Sequence, residues 1–238
     1  RLLEIRLGLS REARLPFNEQ SYDANLLPEA RKNVIAAEAK PSLRTQVNAW
    51  LERTPFLAHD GFDFSDTFRQ ALDDMLSRDM AQIRNHPHLM HTEKDVQLAS
   101  LRQSRAMFDG LLDDARYAEL RAQGAWTLSR RALQAALFLF LYRDEPAAHA
   151  GFSMLKALMD IDETLAVWRL RHALMVSRML GRKVGTGGSS GFEYLRATAD
   201  KHRAYNDLFA IATFLIPRSA LPPLPDNVRK AMRYRYEE

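Results

Sequence analysis

Apolar residues recur at steps of three and four through most of this chain, and no stretch alternates long enough to predict a strand. Leu43, Val47, Trp50 and Leu51 predict a helix from about Ser42 that Pro55 stops, with Trp50 read as core. Phe68, Leu72, Met75, Leu76, Met80 and Ile83 predict a second from about Ser65, its methionines serving as packing. Thr92 with Asp95 resembles a capping pattern and opens a third, running to about Leu112. After a break at Gly124, Leu128 to Arg143 is apolar enough to be buried against several neighbours, and Pro146 separates it from the next helix. That next helix runs to Leu180 and carries Leu165, Trp168, His172, Val176 and Met179 on one stripe. Asp162, Arg169, Arg171 and Arg178 fall elsewhere, and for the arginines solvated surface is the commoner fate. Phe192 to Ile216 predicts a further helix ended by Pro217, and a proline-rich tail leads into a short helical run to Tyr236. Arg1 to Leu9 reads as a helix ending near Gly8, followed by a loop from Arg11 to Pro28. The pattern predicts an all-α, bundle-like fold: one domain over residues 1–238, with about 42–113 as a helical arm within it.

Composition narrows this a little. The 238 residues suffice for a sizeable core. A net charge of +4, from 34 Lys and Arg against 30 Asp and Glu, is spread along the chain and gives no nucleic-acid footprint. With no cysteine there is no disulfide framework, which fits a reducing cytoplasm. The longest apolar runs, such as Ala132 to Tyr142, fall short of the roughly 20 residues of a membrane span. No signal peptide is visible, and an opening at Arg1 inside a helical pattern suggests that an N-terminal part is missing.

Three places invite chemistry. His172 lies within an apolar stripe, where an imidazole either hydrogen-bonds both nitrogens inside the core or gives one to a metal. Spacing does not choose between these. No second His, Cys or carboxylate completes a protein-only cage nearby, so the metal reading holds only if a cofactor supplies the other ligands, as the haem macrocycle does. The second place is Gly185-Thr186-Gly187-Gly188-Ser189-Ser190-Gly191, whose glycines let backbone amides approach a ligand. Ser190 with Glu193 forms a capping box, and the helix start it marks favours a carboxylate beside the Thr186 hydroxyl. A plain inter-helix turn has the same composition. No lysine follows to make it a phosphate loop. The third is His86, His88 and His91 around Pro87, which reads as a solvated inter-helix loop and not as a zinc site.

At these residues the chain resembles a known family. WRLRHALMVSRMLG followed by GTGGSSGFEYLRAT is similar to the haem-ligand helix and substrate loop of the tryptophan 2,3-dioxygenases. The likeness continues through LSRRALQAALFLFLYRDEP, LMDIDETLAVWR and DLFAIATFLIPRSALP, and more loosely through RLLEIRLG and AWLERTPF.

The resemblance implies that His172 is the proximal ligand of haem b iron. It implies that Thr186 hydrogen-bonds the amino-acid head of the substrate, with Gly187 and Gly188 as further loop contacts. The expected reaction inserts both atoms of O2 into L-tryptophan to give N-formyl-L-kynurenine, the first step of the kynurenine route. A cytoplasmic homotetramer without membrane or nucleic-acid partners is expected with it. The family's distal histidine and its carboxylate-gripping arginine fall upstream of Arg1, so no catalytic residue is expected in this stretch. Two other readings remain at this point: a related haem enzyme hydroxylating another aromatic substrate, and a non-catalytic helical haem-binding or assembly module.

Overall fold

A computed structural model of the chain describes residues 6–7, 26–180 and 203–232. The elements are α1 (Pro28–Glu38), α2 (Leu43–Glu52), β1 (Ala58–His59), β2 (Phe62–Asp63), α3 (Phe64–Asn85), α4 (His91–Leu112), α5 (Asp114–Ala122), α6 (Arg130–Leu141), α7 (Pro146–Leu180), α8 (Asn206–Ala210) with a 3-10 turn at Ile211–Phe214, and α9 (Asp226–Ala231). The fold is all-α. Its two short strands form a minimal hairpin, in which Asp60 and Gly61 both take positive φ, as a two-residue primed turn requires.

The chain falls into two compact units. One comprises Arg1–Asn48 and Lys156–Asn206, the other Ala49–Leu155 and Asp207–Glu238.

The second unit is built round α6, whose Ala132, Leu133, Ala135, Ala136, Leu137 and Phe138 are all buried. A helix that is apolar on every side must be covered on every side. Phe138 meets Phe64 edge-on at 5.3 Å between ring centroids, Phe64 continues to Phe68 at 5.7 Å, and Phe108 meets Phe214 at 5.7 Å. Aromatic rings in such tilted and edge-on contacts fill a core and add directional attraction to their buried area. The Ser129 hydroxyl accepts from the Ala132 amide to cap α6 and donates to the Glu52 carboxylate at 2.6 Å. Asp207 sits just ahead of it: one carboxylate oxygen accepts from the Thr127 amide, the Thr127 hydroxyl and the Leu128 amide at 2.8, 3.0 and 2.7 Å.

In the first unit, the C-terminal part of α7 buries Leu158, Asp162, Leu165, Arg169 and Ala173 along one side. The Asp162 carboxylate accepts from the Ala204 amide at 2.8 Å and more weakly from the Tyr205 amide at 3.4 Å. It thereby ties the chain just before α8 to the long helix.

Several expectations need correction. Asp162 and Arg169, which fall off the apolar stripe, lie on the buried side of α7: they are 1% and 5% exposed and engaged by partners, so solvated surface is not the fate of Arg169. Trp168 and Met179, read as part of a buried stripe, are 56% and 73% exposed. The helix read through Ile216 is interrupted: residues 203–205 are not helical, and the 3-10 turn ends at Phe214 before Pro217. The helix from His91 is capped by Glu93, which accepts from the Met90 amide at 2.9 Å, not by Thr92 with Asp95. Helices α1 and α5 were not foreseen. Trp50 is half-buried and lines a cavity of about 580 Å³ with Phe56, Phe138 and Met154, and is not sealed in the core. Most of the segment read as a helix from Arg1 to Leu9 lies outside the described residues, with Arg6 and Leu7 helical.

Candidate functional site

Helix α7 is 35 residues long and opens on Pro146, whose fixed φ and missing amide suit a first helical position. His172 lies two turns before its end. Its side chain is half-buried, at the edge between the buried side of the helix and a side on which Ile161, Trp168, Met175 and Met179 are exposed. Large apolar side chains are thus exposed along that side, interleaved with exposed Thr164, Arg171 and Arg178, whereas a solvated helix face ordinarily carries few of them.

The imidazole is stacked on the Trp168 indole one turn earlier, with ring centroids 5.3 Å apart and planes 2° apart. The spacing i, i+4 brings the two side chains together on one helix face. Among the described residues no hydrogen bond or ion pair reaches either ring nitrogen of His172. The core-histidine reading requires such partners. Among the described residues, the arrangement leaves a stacked imidazole whose nitrogens have no partner, beside exposed apolar side chains.

Beside it lies a groove of about 490 Å³ lined by Leu7, Asp160, Ile161, Thr164, Leu165 and Trp168. Trp168 therefore belongs both to the stack and to the groove wall. Arg171 and Arg178 are exposed on the same helix, while Arg169 is turned inside.

Thr186, Gly187 and Gly188 lie outside the described residues. The chain is described again from Arg203, and Ala204 and Tyr205 are the residues that Asp162 holds. Of the three histidines near Pro87, His86 and His88 stand 6.2 Å apart between ring centroids and are exposed. His91 is part of α4 and pairs with Asp95 at 2.9 Å. Among the described residues, no three His, Cys, Asp or Glu side chains are grouped to hold a metal ion.

The model of the family described as tryptophan 2,3-dioxygenase matches residues 1–215. The chain belongs to the tryptophan 2,3-dioxygenase family. It is 42% identical over 236 residues to the tryptophan 2,3-dioxygenase of Bdellovibrio bacteriovorus, covering 99% of this chain and 66% of that protein. It is 43% identical over 232 residues to that of Alteromonas mediterranea, covering 98% and 64%, and 38% identical over 235 residues to that of Dictyostelium discoideum, covering 98% and 59%. The chain thus spans somewhat less than two thirds of the length of these relatives.

For a tryptophan 2,3-dioxygenase family chain, two features of the site escaped the sequence reading. Asp162 and Arg169 occur at the same seven-residue spacing as Leu158 and Leu165, so the periodicity contained their burial. The Trp168–His172 stack follows from the i, i+4 spacing once both rings are considered, and no motif marks it.

Proposed function

We propose that the protein acts as a haem-dependent tryptophan 2,3-dioxygenase, taking L-tryptophan and dioxygen to N-formyl-L-kynurenine. Family membership supports the reaction class. The observation that carries the site is His172: a half-buried imidazole stacked on Trp168 beside exposed apolar side chains, without a hydrogen-bond partner among the described residues. A flat, largely apolar macrocycle that brings its own iron would need one protein nitrogen, which His172 would supply. Haem, when bound, supplies the redox chemistry by which both oxygen atoms enter across the indole C2–C3 bond.

The rest falls to the chain's own residues. His172 presents one ring nitrogen and fixes where the group is held. Trp168 and Met175, exposed apolar side chains within one turn of it, are the surface that a bound macrocycle would cover, and covering them would exclude water there. Exposed Arg171 and Arg178 are the arginines of this helix that would face propionate carboxylates, because Arg169 is buried and engaged. The Thr186 hydroxyl, with the Gly187 and Gly188 amides, receives the amino-acid head of the substrate in this proposal. Hydrogen bonds from a loop of this kind orient the substrate and contribute about 1 kcal/mol each. A homotetramer and a cytoplasmic location complete the reading. The absence of cysteine suits the latter.

The test has two parts. Haem is added to the purified chain and to its His172→Ala variant; the Soret band of the bound form is expected in the first and lost in the second. An unchanged band in the variant removes His172 as ligand. L-tryptophan with reductant under air is then expected to yield formylkynurenine carrying two added oxygen atoms. A product with one added oxygen overturns the dioxygenase reading in favour of hydroxylation.

A further inference from the structure

We propose that Trp168 is a positioning residue for the iron ligand, fixing the plane of the His172 ring; this rests on the reading of His172 as that ligand. The indole and imidazole lie in an offset stack, 5.3 Å between centroids and 2° between planes. Such a stack is an attractive arrangement of two aromatic rings.

The position is otherwise hard to account for by packing. Trp168 is 56% exposed, so much of the apolar area that usually justifies a tryptophan remains in contact with water. Leu165, one turn earlier and buried, already supplies the core contact of this part of α7. A leucine at 168 would wall the neighbouring groove as well.

What only an aromatic ring does here is hold another ring flat. An imidazole bound through one nitrogen keeps one freedom, rotation about the metal–nitrogen axis. No hydrogen bond from a described residue to its other nitrogen limits that rotation. An indole against one face does. The ring plane sets how the imidazole π system overlaps the metal d orbitals, and hence the donor strength of the ligand. Control of ligand orientation in metal sites ordinarily comes from a hydrogen bond to the outer nitrogen; here the stacked ring takes that part.

The experiment compares wild type, Trp168→Leu and Trp168→Phe as full haem-loaded chains, with His172→Ala mixed with haem in the same way. The iron–histidine stretching band of the ferrous form is recorded by resonance Raman, and haem loss is timed by transfer to an excess of apomyoglobin. Trp168→Leu is expected to shift or broaden the band and to speed haem loss roughly 2–10-fold, the range implied by loss of one aromatic pair. Trp168→Phe, which keeps a ring, is expected to restore most of both. A band and a haem-loss rate unchanged in Trp168→Leu overturn the proposal, as does a Phe variant no better than Leu. His172→Ala separates the two levels: if it retains the band, the ligand reading fails, and if it loses the band while Trp168→Leu is silent, only the positioning role fails. Because Trp168 is largely exposed, the melting temperature of the haem-free Leu variant is expected to stay near that of wild type. A large fall there, with the Raman band unmoved, assigns Trp168 a structural role instead.

Discussion

Asp207 shows what a single side chain does in this fold. One of its oxygens accepts from the Thr127 amide, the Thr127 hydroxyl and the Leu128 amide, just ahead of the Ser129 cap of α6. Hydrogen bonds to a charged acceptor are stronger than neutral ones, and buried donors left without an acceptor cost extra. Asp207→Ala is therefore expected to lower stability by about 3 kcal/mol, read from the urea midpoint. Asp207→Asn, which keeps an acceptor oxygen, should lose about half as much. Equal losses in the two variants would show that the charge, and not the acceptor, matters. Residues such as this were hard to read in the sequence. Asp207 and Asp162 look like surface in a one-letter pattern, because their partners lie 80 and 42 residues away in the chain. His172 was legible as a candidate, because an imidazole inside an apolar stripe breaks the pattern locally.

At the level of elements, the strongly periodic helices α2, α3, α4 and α6 were legible to within a few residues, and the weakly periodic ones were not. Helix α1, PEARKNVIAAE, buries only Val34 and Ala37, and therefore offers almost no stripe to detect. Its proline start was the available signal. Helix α5 was hidden between a strong helix and a glycine, yet that glycine defines its end. The Gly124 amide bonds the Arg121 carbonyl at 3.0 Å and the Ala125 amide bonds the Leu120 carbonyl at 2.9 Å, with Gly124 at φ 77°. This is a Schellman ending, which needs the left-handed conformation. Nothing lies within 4 Å of a Cβ placed there, so the cost of Gly124→Ala is conformational and not steric. It is expected to be about 1 kcal/mol, seen as faster amide exchange in α5. An exchange pattern indistinguishable from wild type would show that the ending is not held by the glycine.

Across the molecule, each compact unit contains a tyrosine whose phenol resists ionisation. Burial, aided by Glu145, pushes Tyr142 up to about 12. Burial, aided by Asp162, pushes Tyr205 up to about 12, against a small opposing effect of Arg44. Unfolded phenols ionise near pH 10. Below that pH both folded and unfolded chains keep the protons, and the full stability stands. Between pH 10 and 12 the unfolded chain loses its protons first, so stability falls as pH rises, by on the order of 1 kcal/mol per pH unit for each group. The two tyrosines differ in one respect that makes them separable. Tyr142 donates to the Pro222 carbonyl at 2.9 Å, whereas the Tyr205 hydroxyl is buried without a hydrogen-bond partner among the described residues. Tyr142→Phe is thus expected to lose about 1 kcal/mol at pH 8, the net value of one hydrogen bond, while Tyr205→Phe is neutral or stabilising there because an unsatisfied polar atom is removed. Both substitutions should flatten the alkaline slope. Denaturant midpoints at pH 8, 10 and 11 measure the two effects together. A Tyr205→Phe chain that weakens at pH 8 and keeps the wild-type slope would mean that its hydroxyl is bonded and its ionisation ordinary.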